Sequence, residues 1–301
     1  MKTTKLLLLI FAISLNTVFA QKKIEKDDSQ TVEKSYLVLP KIEVIPIKDT
    51  KVNRQYELYV KLPEGYSENN DRQYPVIYYT DAIWHVEILS SATEYIMEEA
   101  ILVGISWQKD IEEALIKEKG AHVSRFRDYS VGKSSNTEYQ AKYQFGQAGN
   151  HLDFIRNDVL KYVETNYRTD SNNRSYFGYS LGGEFGAYIL LKQSDTFKNY
   201  ILGSPSFGKD ITYFSELISN ITQKQSSLNA NVFISYGTLE KDSGKQVEEF
   251  IRLLRDRNDK SLSILPVVIE GNHRTAFPRT GVRSVTWLAS LFKEGVKSNK
   301  N

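Results

Sequence analysis

The sequence predicts an α/β domain whose mainly parallel sheet is covered on both faces by helices and opened by an antiparallel hairpin. Three observations carry that prediction. From residue 76 onward, short apolar runs bounded by turn signals alternate with stretches of helical period. Two further strand-like segments stand in front of them, separated by a short turn. No internal repeat and no linker rich in proline, glycine or serine divides the chain, so residues 36–293 read as one domain.

Taken in order, residues 1–20 read as a signal peptide. Lys2 and Lys5 precede an apolar run from Leu6 to Leu15, and Val18-Phe19-Ala20 offers a cleavage site before Gln21 and Lys22. A membrane span needs roughly 20 apolar residues; this run has about half, so an uncleaved anchor is the weaker reading. Residues 21–35 are charged and aperiodic, a flexible leader, and residues 294–301 read as a similar tail. Cysteine is absent, which excludes a lipid-modified cysteine, a disulfide framework, a zinc–cysteine site and a cysteine nucleophile. The net charge of +2, with acids and bases interspersed, gives no footprint for nucleic acid.

Residues 41–47 and 55–62 are predicted strands joined by a turn through Asp49-Thr50-Lys51. Pro46 has no N–H to donate and confines the first strand to a sheet edge, while Pro63-Glu64-Gly65 stops the second. Residues 76–80 form a buried strand between Pro75 and Asp81. A helical stretch around residues 91–100 leads into another at 101–105. Residues 107–150 are charged and irregular. Leu152, Ile155, Val159, Leu160 and Val163 then recur at helical spacing, and that helix closes near Tyr167. Strand-like runs follow at 175–179, 200–204, 232–236 and 262–269, with helices at 184–192, 244–257 and 281–293. Right-handed crossovers place the carboxyl ends of the parallel strands along one rim.

On that rim, Gly178-Tyr179-Ser180-Leu181-Gly182 matches G-x-S-x-G. Three specified residues are a weak match alone; the setting strengthens it. An apolar strand precedes the motif and a helix follows, the strand–turn–helix context of the nucleophile elbow in an α/β-hydrolase fold. The alternative is a glycine-rich strand end with a passive serine. The partners should follow in the order acid, then histidine. Of His85, His122, His151 and His273, His273 alone follows Ser180, in the loop between the last strand and the last helix. The acid belongs in the loop after residues 232–236, where Glu240 and Asp242 both qualify. Glu240 is nearer the strand end; Asp210, one strand earlier, ranks third. The backbone N–H of Leu181 is the first oxyanion donor, and a second is expected within Asp81-Ala82-Ile83.

The opening, residues 56–66 with Tyr74-Pro75-Val76-Ile77-Tyr78-Tyr79-Thr80-Asp81, resembles the Putative esterase family. So do Val103-Gly104-Ile105, Arg127-Asp128-Tyr129, the helix over 152–168, Gly178 to Gly183, Ser204-Pro205-Ser206 and Glu270 to His273. That family groups the enterobactin- and bacillibactin-type siderophore esterases with the S-formylglutathione hydrolases and the feruloyl and acetyl-xylan esterases. The resemblance spans residues 40–293 and is strongest to the siderophore-esterase branch. It implies a serine esterase with Ser180 as nucleophile and His273 as base, and puts Glu240 where many members carry the acid. Members usually have Asp-Gly where this chain has Asp81-Ala82; Ile83 would supply the N–H that completes the oxyanion hole. Tyr179 replaces a frequent histidine, a change read as neutral.

Two remaining clusters bear on substrate. His122, Arg125, Arg127 and Lys133 form a basic group in the irregular region, either pairing with Asp128 and other loop carboxylates or attracting an anionic substrate. Phe207, Tyr213 and Phe214 are expected to wall the site from residues 206–230. Arg252, Arg255 and Arg257 read as a solvated helix face. Gly132-Lys133-Ser134 lacks the leading glycine and strand of a phosphate loop. The reading is therefore an exported esterase acting through an acyl-enzyme on a small ester, a siderophore lactone on the resemblance, with no cofactor, metal or nucleic acid. An acyltransferase on the same residues and an idle binding protein are the alternatives; oligomeric state is not written in the sequence.

Overall fold

The computed structural model describes residues 41–67 and 71–298. The signal peptide and leader expected over residues 1–35 lie outside them. One eight-stranded sheet forms the centre, in the spatial order β1-β2-β4-β3-β5-β6-β7-β8. Its strands are β1 (Ile42–Asp49), β2 (Arg54–Lys61), β3 (Tyr74–Tyr79), β4 (Ile101–Ile105), β5 (Thr169–Tyr179), β6 (Asn199–Gly203), β7 (Asn231–Gly237) and β8 (Ser263–Ile269). β1–β2 and β2–β4 pair antiparallel, and every other pairing is parallel. The predicted sheet and its opening hairpin are thus present. Pro46 sits on β1, the edge strand, where no neighbour asks for its missing N–H.

The helices are α1 (Ala82–Ile96), three short ones, α2 (Glu113–Lys119), α3 (Arg125–Asp128) and α4 (Thr137–Tyr143), then α5 (Ala148–Phe154) and α6 (Leu160–Asn166). They continue with α7 (Leu181–Lys192), α8 (Ile211–Gln223), α9 (Lys241–Asp256) and α10 (Ala276–Ser298). A π-helical turn, Ile155–Val159, joins α5 to α6, so the helix expected near residue 152 begins earlier and is interrupted. α1 starts directly after β3, ahead of its expected start. α8 fills part of residues 206–230, where no helix was expected. α10 runs through Ser298, past the Lys293 boundary drawn from composition.

Alternation along the strands sorts the core into two layers. Val76 and Tyr78, Tyr176, Tyr200 and Leu202, and Val232 and Ile234 face one way, toward α5 to α9. Ile77 and Tyr79, Phe177, Ile201 and Phe233 face the other way, toward α1 and α10. Fully burying such a side chain contributes about 1.5–3 kcal/mol. Both faces being covered is what makes the central strands read as continuous apolar runs. Among the described residues no helix is long and apolar enough to cross a membrane.

Candidate active site

The carboxyl ends of β3, β5, β6, β7 and β8 carry the candidate residues. β5 ends at Tyr179, and Ser180 turns the chain into α7 with φ 58° and ψ −121°, a region costly for any side chain. The flanking glycines are forced by packing. A Cβ on Gly178 would run into the Gly182 carbonyl, and one on Gly182 would come within 2.6 Å of Thr80 Oγ1. Ser180 is half-buried, and its Oγ lies 3.0 Å from that of Ser206. Ser206 in turn donates its N–H to the Ser180 carbonyl, 3.2 Å away.

The loop after β7 and the loop after β8 meet. His273 Nδ1 lies 2.6 Å from Glu240 Oε1, and the acid's other oxygen accepts from Gly237 N (2.6 Å) and Ser204 Oγ (2.8 Å). A carboxylate only accepts, so Nδ1 carries the proton and the neutral ring leaves Nε2 bare. Burial works to raise the Glu240 pKa, but the hydrogen bonds from His273, Gly237 and Ser204 outweigh it and hold the carboxyl below its ordinary value. The Glu240 side chain is 6% exposed, whereas that of Asp242 is 94% exposed and faces Lys245. Of the three candidate acids, the structure brings Glu240 to His273; Asp210 lies beside Gly132 instead.

The second turn on the rim follows β3. Asp81, fully buried, takes the left-handed conformation at φ 55°, ψ 46°. Ala82 then begins α1 and has no positive φ, so alanine fits where relatives were expected to carry glycine. Ile83 and Leu181 both stand in the first turn of a helix, where N–H groups have no intrahelical acceptor. The Asp81 carboxylate is held by Arg125, from Nε at 3.0 Å and Nη2 at 2.9 Å, and by Trp107 Nε1 at 2.7 Å. Arg125 lies between the rings of Trp84 and Tyr129, 5.2 and 5.6 Å from their centroids.

The basic cluster divides accordingly. Arg125 is committed to Asp81, and Arg127 donates to Asp128 (2.7 Å) and Gln108 (2.6 Å); both side chains are nearly buried. Lys133 stands exposed. The aromatic wall expected from residues 206–230 needs correction. Phe207, just before the 3₁₀ turn Gly208–Asp210, and Phe214, on the inner face of α8, are fully buried against Phe250, with ring centroids 4.7 and 5.9 Å away; Tyr213 is half-buried against Phe214 at 5.7 Å. Exposed apolar side chains on the rim come instead from Ile83 and Trp84 after β3 and from Leu239 after β7; Trp84 packs on Trp107 (4.6 Å) and His122 (5.0 Å). Ile83 and Trp84 stand in the first turn of α1, which the sequence predicted only around residues 91–100, so Trp84 was missed. Tyr179 and Ser204 also enter the site, and only their place at strand ends hinted at it.

The family model described as "Putative esterase" matches residues 50–293. Among curated proteins, the ferri-bacillibactin esterase BesA of Bacillus subtilis (strain 168) is 22% identical over 273 residues, covering 81% of this chain and 92% of that protein. Solved structures similar to this chain include the BES protein from Bacillus cereus, with TM-score 0.70, 23% identity, and coverage of 85% of this chain and 99% of that one. An IroE-like serine hydrolase from Shewanella oneidensis gives TM-score 0.69 and 20% identity, over 84% of this chain and 80% of that one. The siderophore hydrolase EstB from Aspergillus nidulans gives TM-score 0.69 and 17% identity, over 84% and 96%. Below 25% identity these structures speak to the fold, whereas the family model spans most of the chain. The chain belongs to the Putative esterase family, with the α/β-hydrolase fold.

Proposed function

We propose that the protein is an exported serine esterase that works through an acyl-enzyme on Ser180. The observation that carries this reading is the strained elbow at Ser180 on the same rim as the Glu240–His273 pair. His273 Nε2 takes the Ser180 proton as Oγ bonds to the ester carbonyl carbon. The N–H groups of Leu181 and Ile83 receive the negative charge that develops on the carbonyl oxygen. Collapse breaks the bond to the alcohol oxygen, which takes the proton from Nε2. Water then repeats the sequence on the acyl-enzyme, giving up its proton to His273 and releasing the acid as Ser180 recovers its own. Glu240 holds the imidazole in the tautomer with Nδ1 protonated and stabilises the imidazolium.

The names of the relatives point to a siderophore-type lactone as substrate, and the apolar Ile83 and Trp84 beside the turn suit an aromatic ester. The signal-like N-terminus supports export. A panel of aryl acetate, feruloyl and catecholate-lactone esters tests the reading. The wild-type protein should hydrolyse at least one; turnover of none would overturn it.

A further inference from the structure

The side chain between Gly178 and the nucleophile does more than fill space. Tyr179 Oη donates to the main-chain carbonyl of His273, 2.6 Å away, and Ser204 Oγ lies 3.0 Å from that same Oη. Ser204 Oγ is also 2.8 Å from Glu240 Oε2, and Glu240 Oε1 meets His273 Nδ1. The four contacts close a ring through four strand ends: Tyr179, His273, Glu240, Ser204. A carbonyl only accepts, so the Tyr179 proton points to His273, and Ser204 shares its single proton between the tyrosine oxygen and the stronger, ionised acceptor Glu240. Burial pushes the Tyr179 pKa up to about 12, so the phenol remains a donor at neutral pH.

Both linking residues are nearly inaccessible, at 6% and 2% exposure, and Ser204 holds a positive φ of 38°. The rest of the histidine loop is exposed around Asn272 and Arg274, and the His273 side chain is 44% exposed. An imidazole in such a loop needs its main chain fixed as well as its Nδ1, because a carboxylate alone leaves the ring free to pivot about that one bond.

We infer that Tyr179 and Ser204 are positioning residues that lock the His273 loop to the elbow, so that the residue before the nucleophile aims the base. This rests on the reading of Ser180 and His273 as nucleophile and base. A phenylalanine at 179 would keep the ring packing on Phe277, whose centroid is 5.1 Å away, and remove only the donor. Tyr179 is therefore not the neutral replacement that the sequence suggested.

The test measures Tyr179→Phe, Ser204→Ala and Glu240→Gln, singly and combined, on an ester that the wild type turns over. Tyr179→Phe should lower kcat about tenfold to a hundredfold and leave KM within about twofold, since the loss lies in orientation. The downfield proton resonance of the His273–Glu240 hydrogen bond should broaden or move upfield, while the unfolding midpoint stays near that of the wild type. In the Glu240→Gln background, Tyr179→Phe should cost less than about threefold, because the two act as a unit. Three outcomes overturn the inference: wild-type kcat in Tyr179→Phe, full multiplication of its effect with Glu240→Gln, or kcat losses that track lost stability in both Tyr179→Phe and Ser204→Ala. Should wild-type protein turn over no ester and Ser180 resist a fluorophosphonate, the underlying reading falls and the lock with it. Activity in wild type with Tyr179→Phe unaffected removes the lock alone.

Discussion

Two turns face each other on the rim, one after β3 at Asp81 and one after β5 at Ser180. Both end parallel strands that are paired directly, both begin a helix, and both place a non-glycine residue at positive φ, 55° and 58°. Each such residue costs on the order of 1–3 kcal/mol, which its surroundings must offset. They do so in opposite ways. At Ser180 the solution is local: glycines two residues either side clear the space for the neighbouring backbone and Thr80. At Asp81 it is remote: Trp107 and Arg125 come from 26 and 44 residues along the chain to hold the carboxylate. A geometry stored in adjacent residues shows in the sequence as a motif, whereas one stored in long-range contacts leaves scattered polar residues that resemble a surface cluster.

The largest expected effects belong to the elbow. Ser180→Ala should abolish ester hydrolysis while leaving the fold intact, and His273→Ala should lower kcat about a thousandfold or more. Replacing His85, His122 or His151 should leave the chemistry in place. Activity of Ser180→Ala within tenfold of wild type would break the comparison at its root. Next, Glu240→Gln should cost far more than Asp242→Asn, since Asp242 faces solvent and Lys245; the reverse ranking would move the acid's role. Both are read from kcat on a neutral aryl ester.

The Asp81 turn should give intermediate losses. Asp81→Asn keeps a side chain tolerant of the left-handed region but loses the charge, and Arg125→Met loses the clamp. Each should lower kcat about tenfold to a hundredfold on neutral and anionic esters alike, as expected for a displaced oxyanion donor. A raised KM confined to anionic esters would instead make Arg125 a substrate cation. Lys133→Ala, at an exposed position, is the control for that alternative.

The smallest effect is on stability. His85 donates from Nδ1 to the Thr80 carbonyl, 2.8 Å away, just before the turn. Burial holds its pKa down to about 4, against the partial opposition of Asp81. The unfolded chain gains a proton near pH 6.5 that the folded one resists until about 4, so stability present above 6.5 is lost as pH falls through that window. His151, buried and shifted in the same direction, adds to the loss. His85→Gln keeps a donor for Thr80 and should flatten the fall in unfolding midpoint between these pH values; an unchanged slope would leave the effect to other groups.

What was legible follows the same division. The strands, the edge position of Pro46, the elbow and the meeting of β7 and β8 loops could be read from period and order, because each depends on neighbours in sequence or on the handedness of crossovers. The start of α1 was not, because Asp81 makes no side-chain capping bond and spends its carboxylate on Arg125. α8 was missed, and with it the burial of Phe214 on its inner face; Phe207 is buried from the turn before it. Arg125 and Arg127 looked like possible substrate cations since their carboxylate partners are fixed by tertiary contacts as well as by sequence. Tyr179 looked neutral because its partner, a main-chain carbonyl at position 273, has no side-chain signature.

Labelling with a fluorophosphonate, followed by peptide mapping, tests the proposed nucleophile most directly. One equivalent should add to the peptide that holds Ser180, with parallel loss of ester hydrolysis and no labelling of Ser180→Ala. Labelling of another residue, or hydrolysis that continues after Ser180 is fully modified, would contradict the account.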